Sequence, residues 1–247
     1  MAVAKSTNNV MANKQTDNAG LIKPIAIPGI HDKFYKHLKS LLKEYNKPAL
    51  LDIGAGHGYL TKKLYDEGYD IHACDLFPEH FYFEKVNCKK VDLTHPLPYD
   101  DKSFDIVIAV EVMEHISVHE HFFSEAYRIL KNGGTLIFST PNILSLKSRF
   151  RFLFSGFFYS FNPLDYNRHD GLQHTASLTI DQYKYLAIKN QFTDIKVSYD
   201  KKQNSSLWLS VFIPFIWLYC KVKKISYPVH NKHSFLWGRV LFVNLRK

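Results

Sequence analysis

The segment ALLDIGAGHG, residues 49–58, constrains the fold more than any other stretch of this 247-residue chain. A short apolar strand runs directly into glycines at positions 54, 56 and 58, and the helical segment YLTKKLYDEG follows at once. Glycines at a strand-to-helix turn let the backbone approach a ligand closely. The GxGxG spacing differs from the GxGxxG of dinucleotide-binding proteins, so the segment alone predicts a ligand-binding turn without naming the ligand.

Further strand-like and helix-like segments alternate along the rest of the chain. FDIVIAV is apolar almost throughout, which is typical of a parallel strand buried on both faces. The alternation predicts an α/β doubly wound sheet, whose ligands bind at the carboxyl ends of its strands. The other predicted strands are DIHACDL, KKVDL, TLIFSTP, TDIKVSYD and WGRVLFVNLRK, and the other predicted helices are HDKFYKHLKSLLKEY, HEHFFSEAYRILKNGG and TIDQYKYLAIKNQF.

The two ends of the chain and its cysteines bear on domain organisation and compartment. Residues 1–20 are polar and lack the apolar region of a signal peptide, so we expect a disordered leader followed by one domain over residues 21–247. Three cysteines, Cys74, Cys88 and Cys220, form no CxxC pair and cannot all pair with each other. This pattern favours a reducing, cytoplasmic compartment.

Charge is distributed unevenly. Residues 49–141 carry a net charge of −7, from eight Lys or Arg and fifteen Asp or Glu. Residues 1–48 carry +5 and residues 142–247 carry +11. The acidic centre favours a cationic ligand, and the basic ends suit an anionic partner such as a membrane surface, nucleic acid or phosphorylated glycan, unless the lysines simply lie on solvated faces.

Two acidic residues follow predicted strands at the edge where a ligand would lie. Asp75 ends DIHACDL, where a carboxylate can accept hydrogen bonds from both hydroxyls of a ribose. Asp92 ends KKVDL, where a carboxylate could hold an adenine amino group. Together with the glycines, these residues predict a site for a nucleoside-containing cofactor.

Taken in order, these segments resemble the class I S-adenosyl-L-methionine-dependent methyltransferases. The resemblance rests on LLDIGAGHG, Asp75, VDLTHPLPYDDKSFDIVIAVEVMEHI and EAYRILKNGGTLIFSTPN, and it runs from about Lys47 to Asn142, with a looser continuation to the last residue. It implies a seven-stranded, mostly parallel sheet with an antiparallel last strand. We expect a substrate-side cap at 143–178, after the fifth strand, and an apolar-basic insertion at 201–235, between the sixth and seventh.

The resemblance also implies that the chain is a methyltransferase that uses S-adenosyl-L-methionine as its cofactor. The acidic centre suits the positive charge of a sulfonium. By the family's pattern, the methionine part, the ribose and the adenine are each held by a separate group of residues. The implied cofactor-binding residues are Asp52, Gly54, Gly56 and Gly58 for the methionine part, Asp75 and Leu76 for the ribose, Asp92 and Leu93 for the adenine, and Glu111 at the end of the fourth strand.

The segment EVMEHISVHEHF, residues 111–122, allows three interpretations. In the first, Glu111 touches the cofactor, while Glu114 and His115 only begin a helix whose N-terminus favours negative charge. In the second, His115 is a general base, because histidine titrates near neutral pH. In each of them His119 and His121 are expected at the surface.

The third interpretation is a metal site. The segment is similar to the ExxEH strand end of the small-RNA 3′-terminal ribose methyltransferases and to quinone-pathway O-methyltransferases. By this similarity Glu111, Glu114, His115 and the later His174 would bind Mg²⁺, Mn²⁺ or Zn²⁺. Such an ion would lower the pKa of an acceptor hydroxyl. In either chemical interpretation, Glu114, His115 and His174 are the candidate catalytic residues.

Two aromatic segments lie outside the motif. SRFRFLFSGFFYSF, residues 148–161, is expected to pack within the cap. Residues 207–220 are apolar except at Ser210 and Pro214, and Lys221, Lys223 and Lys224 follow. This run is shorter than the roughly 20 residues of a spanning helix, and Pro214 should kink it. We expect either a buried helix or an element that dips into a membrane through 207–224.

These patterns favour an O-methyltransferase that acts on a glycan or lipid-linked hydroxyl at the inner face of the membrane. The alternatives are a soluble small-molecule or quinone O-methyltransferase, an RNA-end methyltransferase, and a non-catalytic, cofactor-binding partner subunit. No separate RNA-binding module is recognisable in the sequence, which disfavours nucleic acid as a partner. The acceptor itself cannot be identified from the sequence.

Overall fold

The structure is a computed structural model that describes residues 22–26, 28–176 and 178–247. The predicted leader at 1–20 lies outside the described residues. The strands are β1 (Ala49–Ile53), β2 (Asp70–Asp75), β3 (Cys88–Lys90), β4 (Phe104–Ala109), β5 (Leu130–Pro141), β6 (Thr193–Tyr199) and β7 (Val240–Arg246). The α-helices are α1 (Ile30–Leu42), α2 (Tyr59–Asp66), α3 (His119–Ile129), α4 (Leu146–Ser155), α5 (Ile180–Lys189), α6 (Ile213–Val222), α7 (Tyr227–His230) and α8 (His233–Trp237).

All seven strands form one sheet in the order β3-β2-β1-β4-β5-β7-β6. The strands β1 to β5 pair in parallel, and β7 pairs antiparallel with both β5 and β6. The predicted α/β class, the number of strands and the antiparallel last strand are therefore confirmed. Chain order reverses beside β1, which pairs with β2 on one side and β4 on the other. This switch point is where doubly wound sheets bind ligands.

The two faces of the sheet bury separate apolar clusters, because successive strand residues point to opposite faces. Leu50 of β1 packs with α1 and α2, through residues such as Phe34 and Leu64. Its neighbour Leu51 belongs to the cluster that includes Phe123 of α3. Coverage of both faces explains why the central strands read as apolar runs, and it leaves the carboxyl edge of the sheet as the place for polar side chains.

A third, smaller cluster attaches the later part of the chain to this edge. It consists of Leu146, Leu209, Leu236 and Trp237, all buried, with Phe150, Ile213 and Ile216 packed against them. The cluster therefore joins α4, which directly follows β5, to the segment that was predicted as an apolar-basic insertion.

That segment differs from the prediction. A 3₁₀ helix (Asn204–Phe212) continues directly into α6, and Pro214 lies in the first turn of α6, where proline is tolerated, so it does not kink the helix. In the part of the chain that the structure describes, Asn204–Val222 alone is long and apolar enough to cross a membrane, by length and composition only. The expectation that this apolar run is too short to span a membrane was therefore wrong, because the helical segment is longer than the run itself. Most of its large apolar side chains are exposed, so it is not a buried helix.

Candidate active site

A cavity of about 880 Å³ lies at the carboxyl edge of β1, β2 and β4. That volume falls within the range of sites that enclose small-molecule ligands. The sequence-predicted residues that line it are Gly54, Gly56, Asp75, Leu76, Asp92, Leu93, Glu111, Glu114, His115 and His174. Two predicted residues, Asp52 and Gly58, do not line it. The fold thus brings nearly all the predicted cofactor and catalytic residues to one cavity.

The turn after β1 requires glycine at two positions. Gly54 has a φ of +69°, and a Cβ added there would lie 2.5 Å from Cγ2 of Val112, in the turn after β4. Gly58 has a φ of +87°, and its Cβ would lie 2.8 Å from the ring of Phe81. Gly54 therefore allows two strand ends to approach each other beside the cavity. Gly58 allows close packing against Phe81 and does not line the cavity.

Asp75 accepts backbone hydrogen bonds through both carboxylate oxygens, and one of them holds the glycine turn. Oδ2 accepts a hydrogen bond from the backbone N–H of Gly56 (2.8 Å), and Oδ1 accepts one from the N–H of Phe77 (2.9 Å). Each oxygen has a second lone pair, and Asp75 is only partly buried at the cavity wall. The carboxylate can therefore hold the turn and accept ligand hydroxyls at the same time.

Asp92 lies two residues beyond β3, which ends at Lys90 and not at Asp92 as predicted. Its Oδ1 accepts hydrogen bonds from the backbone N–H (2.9 Å) and the hydroxyl (2.8 Å) of Thr94. These bonds lower the pKa of Asp92 below its ordinary value, so the carboxylate is ionised at neutral pH. A fixed, charged acceptor at this position suits the amino group of a base.

Asp52 lies behind the turn and is fully buried. Oδ2 accepts a hydrogen bond from the Thr61 hydroxyl (2.7 Å), which ties β1 to α2. Burial raises the pKa of Asp52 from 3.8 to about 7, against the lowering effect of the Thr61 bond. The side chain therefore supports the glycine turn from outside the cavity.

We expect Asp52→Asn to change how stability depends on pH. A carboxyl whose folded pKa is about 7 and whose ordinary value is 3.8 keeps its proton in the folded chain after the unfolded chain has lost it. The stability that the protonated Asp52 contributes is therefore fully present below the unfolded-chain pKa. This stability is lost as pH rises towards 7, at about 1.4 kcal/mol per pH unit. The free energy of unfolding of the variant minus that of the wild type should grow by about 2 kcal/mol between pH 5 and pH 7. Denaturant titrations at each pH measure this difference, and a difference that does not vary with pH would contradict the assignment.

Glu111 follows β4 in a conformation that is rare for residues other than glycine, with a φ of +54°. Ser139 of β5 fixes it: the backbone N–H of Glu111 donates to Ser139 Oγ (2.9 Å), and the Ser139 hydroxyl donates to Glu111 Oε1 (2.7 Å). Burial raises the pKa of Glu111 to about 7. Glu111 thus lines the cavity with its Oε1 already bound to Ser139.

Glu114, His115 and His174 form the cluster that most resembles a metal-binding or catalytic group. One ligand atom from each lies within 4.8 Å of the others. Glu111, the fourth predicted ligand, is not part of this cluster. Both carboxylate oxygens of Glu114 are buried without a hydrogen-bond partner among the described residues, and so is Nδ1 of His174. Unsatisfied acceptors of this kind fit a divalent cation, or a proton in its absence.

The protonation of the two histidines follows from their surroundings. His115 Nδ1 lies 3.0 Å from the carbonyl oxygen of Gln173, which can only accept, so Nδ1 carries the proton and Nε2 keeps a lone pair. Burial lowers the pKa of His115 below its ordinary value. Burial, and then the nearby His115, lower the pKa of His174 to about 4. Both imidazoles are therefore neutral at neutral pH, as a base or a metal ligand must be.

Backbone hydrogen bonds attach the cap to this cluster. The N–H groups of Thr175 and Ala176 both donate to the carbonyl oxygen of Glu114, at 2.9 and 3.1 Å. The rings of His174 and His115 meet edge to face at 4.8 Å. The segment around residue 174 is therefore held against the turn after β4, which explains how residues 59 positions apart share one site.

Two expectations about EVMEHISVHEHF were wrong. Glu114 and His115 do not begin a helix; they lie in a turn, and α3 begins at His119. His119 is buried rather than at the surface, and its Nε2 lies 2.8 Å from the Met113 carbonyl oxygen. His121 is half-buried. The sequence could have predicted that His119 is buried, because His119 falls on the same face of α3 as Phe122, Phe123 and Ala126.

Sequence reasoning also missed polar residues that line the cavity. Three histidines outside the predicted set, His31, His57 and His80, line the cavity, as do Tyr59 and Asp170. His57 lies between two of the turn glycines, which was a usable signal. The others come from α1, from the start of α2, from the segment after β2 and from the cap, and no local pattern marks them.

Comparison with known proteins agrees with this geometry. Residues 51–138 match the family described as a methyltransferase domain. The chain is 34% identical to a demethylmenaquinone methyltransferase of Tropheryma whipplei (strain Twist) over 101 residues, which covers 37% of this chain and 42% of the relative. It is 29% identical to a ubiquinone biosynthesis O-methyltransferase of Pelagibacter ubique over 158 residues, which covers 60% of this chain and 64% of the relative. The chain thus spans less than two thirds of the length of these relatives.

A solved structure of an S-adenosylmethionine-dependent methyltransferase from Archaeoglobus fulgidus superposes with a TM-score of 0.61. The superposition covers 98% of this chain and 100% of that one, at 16% sequence identity. At that identity the likeness establishes the fold alone.

Proposed function

Because this chain belongs to the class I S-adenosyl-L-methionine-dependent methyltransferases, we propose that it transfers a methyl group from that cofactor to a hydroxyl of its acceptor. The observation that carries the proposal is the single cavity, in which the glycine turn, Asp75 and Asp92 lie at one part and His115 and His174 at another. A protein that only binds the cofactor would not require neutral histidines beside the cofactor site. This arrangement also disfavours a non-catalytic partner subunit.

The bound cofactor supplies an electrophilic methyl group on a sulfonium. The residues of the chain do the rest: Asp75 and Asp92 hold polar groups, and the glycine turn allows close approach. His115 Nε2, with its free lone pair, would accept the proton that the acceptor hydroxyl loses as its oxygen takes the methyl group, while the methyl–sulfur bond breaks and the cofactor leaves as a neutral thioether. Gln173 keeps the opposite nitrogen protonated and so fixes the tautomer.

A divalent ion is the alternative to a metal-free base. Glu114, His115 and His174 would hold Mg²⁺, Mn²⁺ or Zn²⁺, and the ion would lower the pKa of an acceptor hydroxyl. The unpartnered carboxylate of Glu114 and the unpartnered Nδ1 of His174 support this alternative. In that case His115 is a ligand rather than the base.

For the acceptor, we propose a glycan or lipid-linked hydroxyl at the inner face of the membrane. The exposed apolar residues of 204–222 support this choice, as does the basic charge of residues 142–247. A quinone or another small molecule is the second candidate. It is favoured by the names of the two relatives, which refer to demethylmenaquinone and ubiquinone.

A transfer assay tests both candidates. The protein is incubated with cofactor labelled on its methyl group and with separated fractions of cell quinones, the remaining lipids, glycans, soluble small molecules and RNA. Label in the lipid or glycan fraction supports the first candidate, and label in the quinone or small-molecule fraction supports the second. Label only in RNA contradicts both, and label in no fraction contradicts the proposed activity.

We expect Asp75→Ala to weaken cofactor binding by about 1–3 kcal/mol, from a wild-type dissociation constant of about 1 μM. The variant loses hydrogen bonds to a charged acceptor and also releases the N–H groups of Gly56 and Phe77. Isothermal titration calorimetry with the cofactor and with its demethylated product measures the effect. Asp70→Ala is the matched control, since Asp70 is an exposed carboxylate at the other end of β2. Equal affinities in all three proteins would contradict the assigned role.

A further inference from the structure

The helix α4 exposes large apolar side chains that a soluble protein would ordinarily bury. Leu153 is 72% exposed and Phe154 is 81% exposed, and Phe152 beside them is almost half exposed. The aromatic run 148–161 was expected to pack within the cap, but only part of it does so. Exposed apolar patches of this kind mark surfaces that bind proteins or membranes.

The helical segment 204–222 exposes a second apolar set. Phe215 is 66% exposed, and Trp208, Val211, Leu218 and Val222 are each more than half exposed. Two tryptophans and a tyrosine, Trp208, Trp217 and Tyr219, are among the exposed residues. Tryptophan and tyrosine are enriched where proteins meet the membrane–water interface.

The two sets form one surface, although about 60 residues separate them in the sequence. The ring of Phe150 lies 4.7 Å from Phe212 and 6.3 Å from Trp208, measured between centroids. Beneath these rings, the buried cluster of Leu146, Leu209, Leu236 and Trp237 fixes both helical segments to the domain. We name the exposed apolar side chains of 152–154 and 207–225 the docking surface.

Both ends of the segment 204–222 are attached to the domain. Before it, the N–H of Gln203 donates to the carbonyl oxygen of Trp237 (2.9 Å). After it, the Asn231 amide lies 3.9 Å from Cys220 Sγ. Arg149 of α4 donates to the Asn231 side chain (2.6 Å). A helix that crossed a bilayer would have to break these contacts, so the segment lies along the domain, with its outer face free.

Charge around the docking surface is of one sign. The sequence contains no Asp or Glu in residues 142–162 or 201–247. Lys221, Lys223 and Lys224 are exposed at the end of α6, and Lys147 and Arg151 lie on α4. A second copy of this chain that paired through the same surface would bring this cationic rim against like charge. Anionic lipid headgroups would neutralise it.

We propose that the docking surface inserts into the interface of an anionic lipid bilayer, with α4 and the segment 204–222 lying in the membrane plane. The exposed apolar side chains enter the acyl boundary, while the lysines remain at the headgroups. Burial of the apolar side chains supplies most of the binding, and the cationic rim sets the preference for anionic lipid.

The same surface is connected to the active site, so this inference rests in part on the proposed methyl transfer. Phe152 stacks on Phe158 at 4.5 Å, and Phe158 contacts Phe161 at 6.3 Å. Phe161 in turn contacts His174 at 5.2 Å. An aromatic wall therefore runs from the docking surface to the catalytic cluster, and it suits an acceptor whose apolar part remains in the bilayer while its hydroxyl reaches His115.

Vesicle flotation of the full chain without cofactor tests the docking surface directly. The vesicles contain either phosphatidylcholine alone or equal parts of phosphatidylcholine and phosphatidylglycerol. The wild type should float with both, and more completely with the anionic vesicles. Leu153→Glu with Phe154→Glu should reduce the floated fraction at least about tenfold, because two charges would enter the membrane interface. Trp217→Glu with Val222→Glu, on α6, should do the same.

Ile188→Glu is the matched control, because Ile188 is also 66% exposed but lies on α5, outside the docking surface. It should float like the wild type. Circular dichroism and a cofactor titration show whether each variant is folded. A folded Leu153→Glu/Phe154→Glu protein that floats normally would overturn the proposal. A wild type that stays in solution with both kinds of vesicle would also overturn the proposal. This holds as well if that wild type forms a dimer and the Leu153→Glu/Phe154→Glu substitutions dissociate it.

Failure of the docking surface and failure of the proposed activity are distinguishable. Flotation requires neither the cofactor nor the acceptor, so a wild type that floats but transfers no methyl group supports the docking surface and contradicts the activity. A wild type that binds cofactor and methylates a soluble acceptor without floating contradicts the docking surface alone.

Discussion

We expect His115→Ala to lower kcat on the true acceptor by about 10²–10⁴-fold, the usual contribution of a general acid–base residue. The affinity for cofactor changes little, because Asp75, Asp92 and the glycine turn lie on other strand ends. His174→Ala also lowers kcat, since His174 lies against His115 with its Nδ1 unpaired. The measurement is steady-state kinetics with the acceptor that gains label, together with calorimetry for the cofactor.

Two further measurements separate the chemical roles. His121→Ala is the control, because His121 lies on α3 close in sequence and does not line the cavity. If an ion is bound, chelation abolishes activity, and Mg²⁺, Mn²⁺ or Zn²⁺ restores it in the wild type but not in Glu114→Ala. Activity that is indifferent to chelation leaves His115 as a metal-free base. Full activity in both histidine variants would contradict both roles.

We expect Gly54→Ala to abolish measurable cofactor binding. The substitution should also reduce the free energy of unfolding by about 2–5 kcal/mol. The new Cβ would lie 2.5 Å from Val112 Cγ2, and the residue would also occupy a φ of +69°. Val112 is buried and β-branched, so it cannot turn away. The turn that carries Glu111, Glu114 and His115 must therefore move. Calorimetry and denaturant titration measure the two effects.

Gly68→Ala is the matched control for this substitution. Gly68 has a similar φ of +83°, but a Cβ there would have no neighbour within 4 Å. Gly68→Ala therefore introduces the backbone strain without the steric clash. It should lower the free energy of unfolding by only about 1–2 kcal/mol and leave the cofactor affinity unchanged. If both variants behave alike, the contact between Gly54 and Val112 is not what the glycine protects.

The parts of the site that the sequence predicted are those set by local pattern. Asp75 and the glycines follow apolar strands, and parallel strands place their carboxyl ends at one edge, so their convergence needed no knowledge of distant contacts. The same reasoning placed Glu111 at the carboxyl edge, although β4 ends two residues earlier, at Ala109. It could not show that Ser139, from the next strand, holds Glu111 in its unusual conformation.

The features that the sequence could not reveal depend on contacts between distant segments. The bonds from Thr175 and Ala176 to the Glu114 carbonyl use backbone groups, which leave no mark in the sequence. The pairing of α4 with the segment 204–222 depends on Phe150 meeting Trp208 and Phe212, and nothing in either run specifies its partner. The apolar run was recognised, but the composite docking surface was not.

The position of β7 has a consequence for the growing polypeptide on the ribosome. β7 lies between β5 and β6 in the sheet, yet it follows both in the chain, as well as the whole segment 204–222. During translation, which releases the earlier residues first, β6 has no partner strand and the apolar helix has no completed domain to rest on. Leu236 and Trp237, which hold that helix, emerge just before β7. The nascent chain therefore exposes its apolar segment 204–222 before β7 can complete the sheet. A bilayer or a chaperone beside the ribosome can bind the segment first.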